Sequence, residues 1–306
     1  MTPDAGRPQS ARRGQGTSLK TRTRAANTTR VVVAFAAAIL VLVPFLWMLS
    51  ISFTPEDKAF GSISLIPADP TFANFIDVMT ETNMLRALLN SAIVAIVVVL
   101  ANVILATLGG YAFARLPFPG STAVFYILLS TTAIPVSVTL IPLFLMTRGI
   151  PLAGGNDLLG HGGNGLLNSV AGLTIPYLVG AMNVFLARQY FISASPELAE
   201  AARVDGAGEW RIFSRIYLPL ARPMLAVIAI FAFTGVWDDF LWPLVITTTP
   251  ENQTVQLALA QFLATGNVQY GPLMAGAVVI TIPVLVVFLF NQRGFVGGLT
   301  DGSVKG

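Results

Sequence analysis

Two groups of residues carry what chemistry this 306-residue sequence offers. The first is Glu200-Ala201-Ala202, followed at fixed intervals by Asp205-Gly206, Ile216 and Leu218-Pro219. These types suit contact rather than bond-making, because small side chains let another surface approach closely and a glycine can turn the chain left-handed. The second is Trp237-Asp238-Asp239, set in an apolar run. Carboxylates accept hydrogen bonds from hydroxyl donors, and an aromatic ring offers an apolar face beside them. The same residues, with Trp242, equally fit an aromatic belt at the outer membrane interface, where the acids would meet water. Asn102 and Asn183 add polar groups at depth, either paired with neighbouring helices or facing a pathway.

Catalytic constellations are missing. The chain has no cysteine and one histidine, His161, which excludes thiolate chemistry and Cys/His zinc sites. Neither His-Glu-x-x-His nor a Gly-x-Ser-x-Gly elbow occurs, which argues against an intramembrane enzyme. Six glycines between 154 and 165 suggest a phosphate cradle, but the strand-to-helix context is absent, and a flexible external connection with a solvated His161 is expected instead. Asn252-Gln253-Thr254 reads as a chance sequon.

The elements that must hold these groups are membrane helices. Hydrophobic residues make up 54% of the chain and charged ones 11%, with a mean hydropathy of +0.72. Soluble domains carry about 25% charged residues, so a water-soluble globule is excluded. Apolar runs at 31–51, 91–114, 121–146, 166–186, 223–246 and 273–290 predict six transmembrane helices in an all-α polytopic protein. Pro44, Pro135, Pro142, Pro176 and Pro283 fall within them and should kink them. Fifteen of the eighteen Lys and Arg lie on one side of these spans, leaving only Lys58, Arg86 and Arg148 opposite. The positive-inside rule then places both termini in the cytoplasm, and it accounts for the basic balance without a nucleic-acid partner. Residues 1–30 have the composition of a disordered basic tail. They lack a short apolar core with a cleavage site, so 31–51 is read as a retained span. An external loop at 52–85, a membrane core at 86–291 and a cytoplasmic tail at 292–306 complete the organisation.

The cytoplasmic loop at 188–220 lies on the basic side, and its stretch 193–220 has legible local physics. Ser195 suits an N-cap, Pro196 the first helical position and Glu197 the positive end of the helix dipole. Gly206 supplies the stop, and Trp210, Phe213 and Ile216 or Tyr217 recur as one apolar face of a second short helix. Two small helices meeting at a glycine turn form a compact cytoplasmic knob.

The spacing Glu200-Ala-Ala202, Gly206, Ile216-Tyr-Leu-Pro219 resembles the EAA signature of ABC importer permeases. Phe240-Leu-Trp-Pro-Leu244 and the closing 298–306 are similar to the carbohydrate-uptake branch, specifically MalG-type second permease subunits of maltose-like importers, although Asp301 stands where alanine is more usual.

The resemblance implies a type I importer permease fold and a division of labour. The EAA loop, through Glu200, Ala201, Ala202, Asp205, Gly206, Ile216, Leu218 and Pro219, would dock on a cytoplasmic ATPase dimer. A second permease subunit would complete the pathway, and an extracytoplasmic solute-binding protein would deliver the sugar. ATP and magnesium would sit on the ATPase, since Lys20, Lys58 and Lys305 follow no phosphate loop and this chain binds no cofactor or metal of its own. Trp237, Asp238, Asp239 and Asn102 are the candidate pathway residues, and Gly302, Ser303 and Lys305 the candidate tail contacts to the ATPase. An apolar stretch at 255–262 in the external loop 247–271 should form an amphipathic helix that meets the binding protein or lies on the membrane. The particular sugar stays open, with polyols and glycerol 3-phosphate as alternatives; a channel would need no motor-docking loop.

Overall fold

The computed structural model describes residues 15–59, 65–264 and 268–300, and among these every regular element is helical. The candidate tail contacts Gly302, Ser303 and Lys305 lie outside the described residues. The helices are α1 (Gln15–Ser52), α2 (Ala73–Glu81), α3 (Met84–Arg115), α4 (Ser121–Ser130), α5 (Val136–Arg148), α6 (Val170–Thr174) and α7 (Ala181–Ser193). They continue as α8 (Glu197–Val204), α9 (Glu209–Ile212), α10 (Leu218–Leu220), α11 (Arg222–Trp237), α12 (Leu241–Ile246), α13 (Val255–Ala264) and α14 (Tyr270–Thr300).

Asn27–Ser52 of α1, the whole of α3 and Tyr270–Gln292 of α14 are each long and apolar enough to cross a bilayer, and the count reaches six where each of three bent helix pairs is taken as one span; the third of these pairs joins Glu209–Leu220 to Arg222–Trp237 at 77°. The basic segment expected to be disordered up to residue 30 is helical from Gln15 onward. Extending an existing helix costs far less than nucleating one, and Leu, Lys, Arg and Ala in this segment favour it.

Several expected spans are not continuous rods. In 121–146, α4 and α5 meet at 107°. Ser130, Thr131 and Thr132 turn their hydroxyls back onto carbonyls three residues earlier, and Ile134 before Pro135 is extended, as a residue preceding proline prefers. In 166–186 a 41° bend falls at residues 178–180, after the 3-10 turn Ile175–Tyr177 that carries Pro176. The run 223–246 is α11, a break at 238–240, then α12. Pro44, Pro142 and Pro283, by contrast, sit inside unbroken helices.

α3 is the central post, packed against α7, α11, α13 and the turn α6. A Cβ on Gly110 would lie 2.4 Å from that of Ala187 and 2.7 Å from the Arg188 nitrogen, so only glycine lets α3 and α7 come this close. One apolar core, including Met84, Val98, Trp237, Trp242 and Phe262, joins α3, α11, α12, α13 and α14; a second, with Tyr111, Phe191, Phe213 and Tyr217, lies beneath the knob.

The glycine-rich segment between α5 and α6 is a built loop rather than a flexible connection. The buried Asn156 donates to the carbonyls of Arg148 (2.7 Å) and Ile150 (2.9 Å) and accepts from Gly163 N–H. Gly154 and Gly165 take positive φ, and a Cβ on either would strike backbone near 2 Å away. Helix α13 forms as expected, but Val255, Ala258 and Phe262 bury its apolar face in the protein's own core rather than along a membrane surface.

Candidate functional site

The knob at 193–220 is the helix-turn-helix that the spacing predicts. Helix α8 ends in a Schellman pair: Ala207 N–H reaches the Ala202 carbonyl (2.9 Å) and Gly206 N–H that of Arg203 (3.0 Å). Gly206 has φ +79, and a Cβ added to it would meet nothing within 4 Å, so its requirement is conformational. The start of the helix differs from expectation. Pro196 is the N-cap with helical dihedrals, and Ser195 donates to the Glu197 carboxylate instead of capping a backbone N–H. A π turn, Phe213–Tyr217, follows α9 and accommodates Pro219, whose missing N–H would leave a gap in a regular ladder.

Glu200, Ala201, Asp205, Gly206 and Pro219 are exposed, while Ala202, Ile216 and Leu218 are half-buried, Ala202 and Leu218 against the core beneath. The expected apolar face is shifted: Ile212, Phe213 and Tyr217 are buried, whereas Trp210 is 70% exposed. Val204, beside the turn, is 89% exposed, so the knob presents apolar and small residues together.

Four polar residues that the spacing did not single out, Arg203, Glu209, Tyr111 and Arg115, tie the knob to the membrane helices. Glu209 receives Arg203 Nε at one carboxylate oxygen (2.8 Å) and the Tyr111 hydroxyl at the other (3.1 Å). The Arg203 hydrogen bond holds the Glu209 carboxyl below the usual glutamate range. Arg115, at the end of α3, donates to the Ala194 carbonyl and lies 5.2 Å over the Tyr217 ring. Tyr217 in turn donates to the Ser195 carbonyl (3.0 Å). The available signal was Tyr111 and Arg115 four residues apart on one helix face, at the end of a span.

The second group gathers at the breaks in the fourth and fifth spans. Asn102 is 1% exposed and uses both ends of its amide. It donates to the Val98 (3.0 Å) and Tyr177 (2.7 Å) carbonyls and accepts from Gly180 N–H (2.8 Å) and Asn183 Nδ2 (2.9 Å). These hydrogen bonds stay inside the protein and stitch the opened turn of the fourth span to α3, the pairing with neighbouring helices that was the other reading of Asn102. Trp237 is buried too. It is 3% exposed, stacks on Phe233 at 5.1 Å and donates to the Ile280 carbonyl (3.2 Å). Trp242 is buried and donates to Gly172 O (3.0 Å), so neither ring belongs to an interfacial belt.

The acids themselves diverge. Asp239 is half-buried and accepts from the Tyr177 hydroxyl at 2.6 Å, joining the two broken spans at one level. Asp238 is exposed, and its carboxylate has no hydrogen-bond or ionic partner among the described residues. With 16 residues in α11, it stands about 24 Å along that helix from Arg222, against a hydrocarbon core of about 30 Å. That reach puts it in the outer part of the span, where a carboxylate faces a wet cavity, another protein surface or the water of the outer interface rather than lipid tails.

Residues 106–296 match the family model described as the binding-protein-dependent transport system inner membrane component. The chain is 31% identical over 272 residues to the diacetylchitobiose uptake system permease protein NgcG of Streptomyces coelicolor, covering 88% of this chain and 85% of that one. It is 34% identical over 277 residues to the arabinooligosaccharides transport system permease protein AraQ of Halalkalibacterium halodurans, covering 89% and 94%. Its fold is similar, at a TM-score of 0.73 and 23% identity over 96% of this chain and all of the other, to a chain of a bacterial ABC transporter involved in the import of the acidic polysaccharide alginate. The broken spans, the EAA turn and these matches lead to one conclusion: the chain belongs to the inner-membrane components of binding-protein-dependent transport systems, as a multi-pass ABC importer permease of the carbohydrate-uptake branch whose ATPase is a separate partner.

Proposed function

We propose that this chain forms half of a heterodimeric membrane pathway for an oligosaccharide, handed over by an extracytoplasmic binding protein and driven by a cytoplasmic ATPase dimer docked on the knob. The observation that carries the reading is the exposed set Glu200, Ala201 and Gly206 on a helix stopped by a Schellman turn, with Val204 and Trp210 uncovered beside it. The basic side of the chain, with both termini and the knob, faces the cytoplasm in this reading, and the tail at 297–306 supports the same ATPase contact. The unpaired Asp238 carboxylate suits a neutral, hydroxyl-rich cargo, since it accepts hydrogen bonds from sugar hydroxyls but repels an anion such as glycerol 3-phosphate. The names of the relatives, for diacetylchitobiose and for arabinooligosaccharides, support an oligosaccharide.

The test is reconstitution in liposomes with and without the second permease subunit, the ATPase and the binding protein loaded with candidate sugars. Uptake is expected only with all four, and saturable ATP-independent uptake by this chain alone would overturn the reading. In the complete system, Asp238→Ala is expected to reduce or broaden uptake while the complex still assembles and hydrolyses ATP. Unchanged uptake and preference in that variant would remove Asp238 from the pathway.

A further inference from the structure

The knob and the membrane helices meet through apolar contacts and the Arg115–Ala194 hydrogen bond, and one further side chain bonds α8 and α3 at the same time. Glu209 opens α9, immediately after the glycine turn, and its two carboxylate oxygens serve different bodies. One is held by Arg203, on the last turn of α8, the helix that presents Glu200 and Ala201. The other is held by the hydroxyl of Tyr111, on α3. The Tyr111 ring is itself wedged among Phe191, Phe213 and Tyr217, with centroids 4.9 to 5.8 Å away, so its hydroxyl is fixed in place. Further along the same helix, Asn102 holds the broken turn of the fourth span, and that turn carries Tyr177, the partner of Asp239.

We infer that Glu209 is a positioning residue that transmits displacement of the knob to α3, with Arg203 and Tyr111 as its two arms. The inference rests on the reading that the ATPase docks on this knob. A displacement of α8 pulls Arg203, and the carboxylate passes the pull to Tyr111 because it is bonded at both ends. Helix α3, 32 residues long and packed along most of its length, then carries it as a rigid element to the breaks where the candidate pathway lies. The Arg115 bond holds the Ala194 end of the knob, and apolar contacts alone would let the α8–α9 end slide over the ring cluster. A bond with two ends fixes the registry.

The experiment uses the full complex in liposomes and measures sugar imported per ATP hydrolysed for wild type, Tyr111→Phe, Glu209→Ala and the double variant. Tyr111→Phe removes one hydroxyl and keeps the ring packing, so it carries the test even where Glu209→Ala does not assemble. Coupling changes along such networks span about 2- to 30-fold, and each single variant is expected to lower the ratio within that range. The double variant should fall no further than the worse single one, because both substitutions cut the same link, and the ATPase should copurify with all of them. An unchanged ratio in Tyr111→Phe overturns the inference, as do losses that multiply in the double variant. Loss of ATPase association in Tyr111→Phe also overturns it, by making the hydroxyl a docking determinant. Failure of the ATPase to bind wild type would instead sink the docking reading beneath it.

Discussion

Two departures from helix in this protein are each held by a polar side chain, and the settings of the two side chains differ. At the knob, the Gly206 turn is closed by its own backbone, and Glu209 adds a bond to Arg203 with both side chains more than a third exposed. At the fourth span, residues 178–180 are held open by Asn102, which is buried and completely engaged. Exposed ion pairs contribute roughly 0.2–1 kcal/mol, whereas each buried polar group stripped of its partner costs about 1–3 kcal/mol. The first arrangement adds little to global stability, so its loss should be read in how the knob is registered on α3 rather than in whether the chain folds. The second fixes a shape that helix propensity alone would not keep.

The sharpest way to break this contrast is Asn102→Leu. The substitution leaves the Tyr177 carbonyl, the Gly180 N–H and the Asn183 amide without the partner they now share. A loss of about 3 kcal/mol or more is expected, seen as low accumulation in the membrane and a depressed Tm of the purified complex. Wild-type Tm in this variant would mean that the break is held by packing and that Asn102 is free for another role.

A smaller effect is expected at Gly206, where the requirement is dihedral and not spatial. With φ at +79 and open space around the position, a substitution meets strain but no clash. Valine should cost roughly 1 kcal/mol or more and alanine somewhat less, while asparagine, which tolerates left-handed backbone, should come closest to glycine. ATPase association measured by copurification should rank glycine, asparagine, alanine, valine. Equal association across the series would show that docking ignores the direction in which the second helix leaves the turn.

The same contrast explains what the sequence disclosed. The knob is legible because its determinants are local: Gly206 stops one helix, Pro219 shapes the next, and the whole motif fits within twenty residues. The Asn102 node is closed by partners 75 to 81 positions away, and no spacing rule reaches that far. Hydropathy windows mark all six apolar runs but measure composition, so they pass over the breaks at 134–135, 178–180 and 238–240. Proline alone does not mark them: Pro135 ends a helix where Ser130, Thr131 and Thr132 compete for its last carbonyls, and Pro142, about two turns later, does not. Trp237 and Asp238 read as one cluster because they are neighbours in sequence. About 100° of helical rotation separates them, enough to bury the ring while the carboxylate stays exposed.

The smallest expected effect is a pH dependence confined to the knob. Arg203, and to a lesser degree Tyr111, stabilise the ionised Glu209, so its folded value lies below its ordinary 4.5. For a carboxyl lowered on folding, the unfolded chain takes up the proton first as pH falls. The contribution is therefore fully present above about 4.5 and is lost as pH drops through the lower folded value. The exposure of the pair limits the effect to less than about 1 kcal/mol. Thermal unfolding of wild type and Glu209→Gln should thus differ by a constant amount at neutral pH and converge only below about pH 4.5. No equivalent convergence is expected for Asn102→Leu, because the amide does not titrate. A gap between wild type and Glu209→Gln that stays constant down to about pH 3, well below the ordinary glutamate range, would mean that the Arg203 bond adds nothing specific to the charged form, and the knob would then be held, like the broken span, by neutral contacts alone.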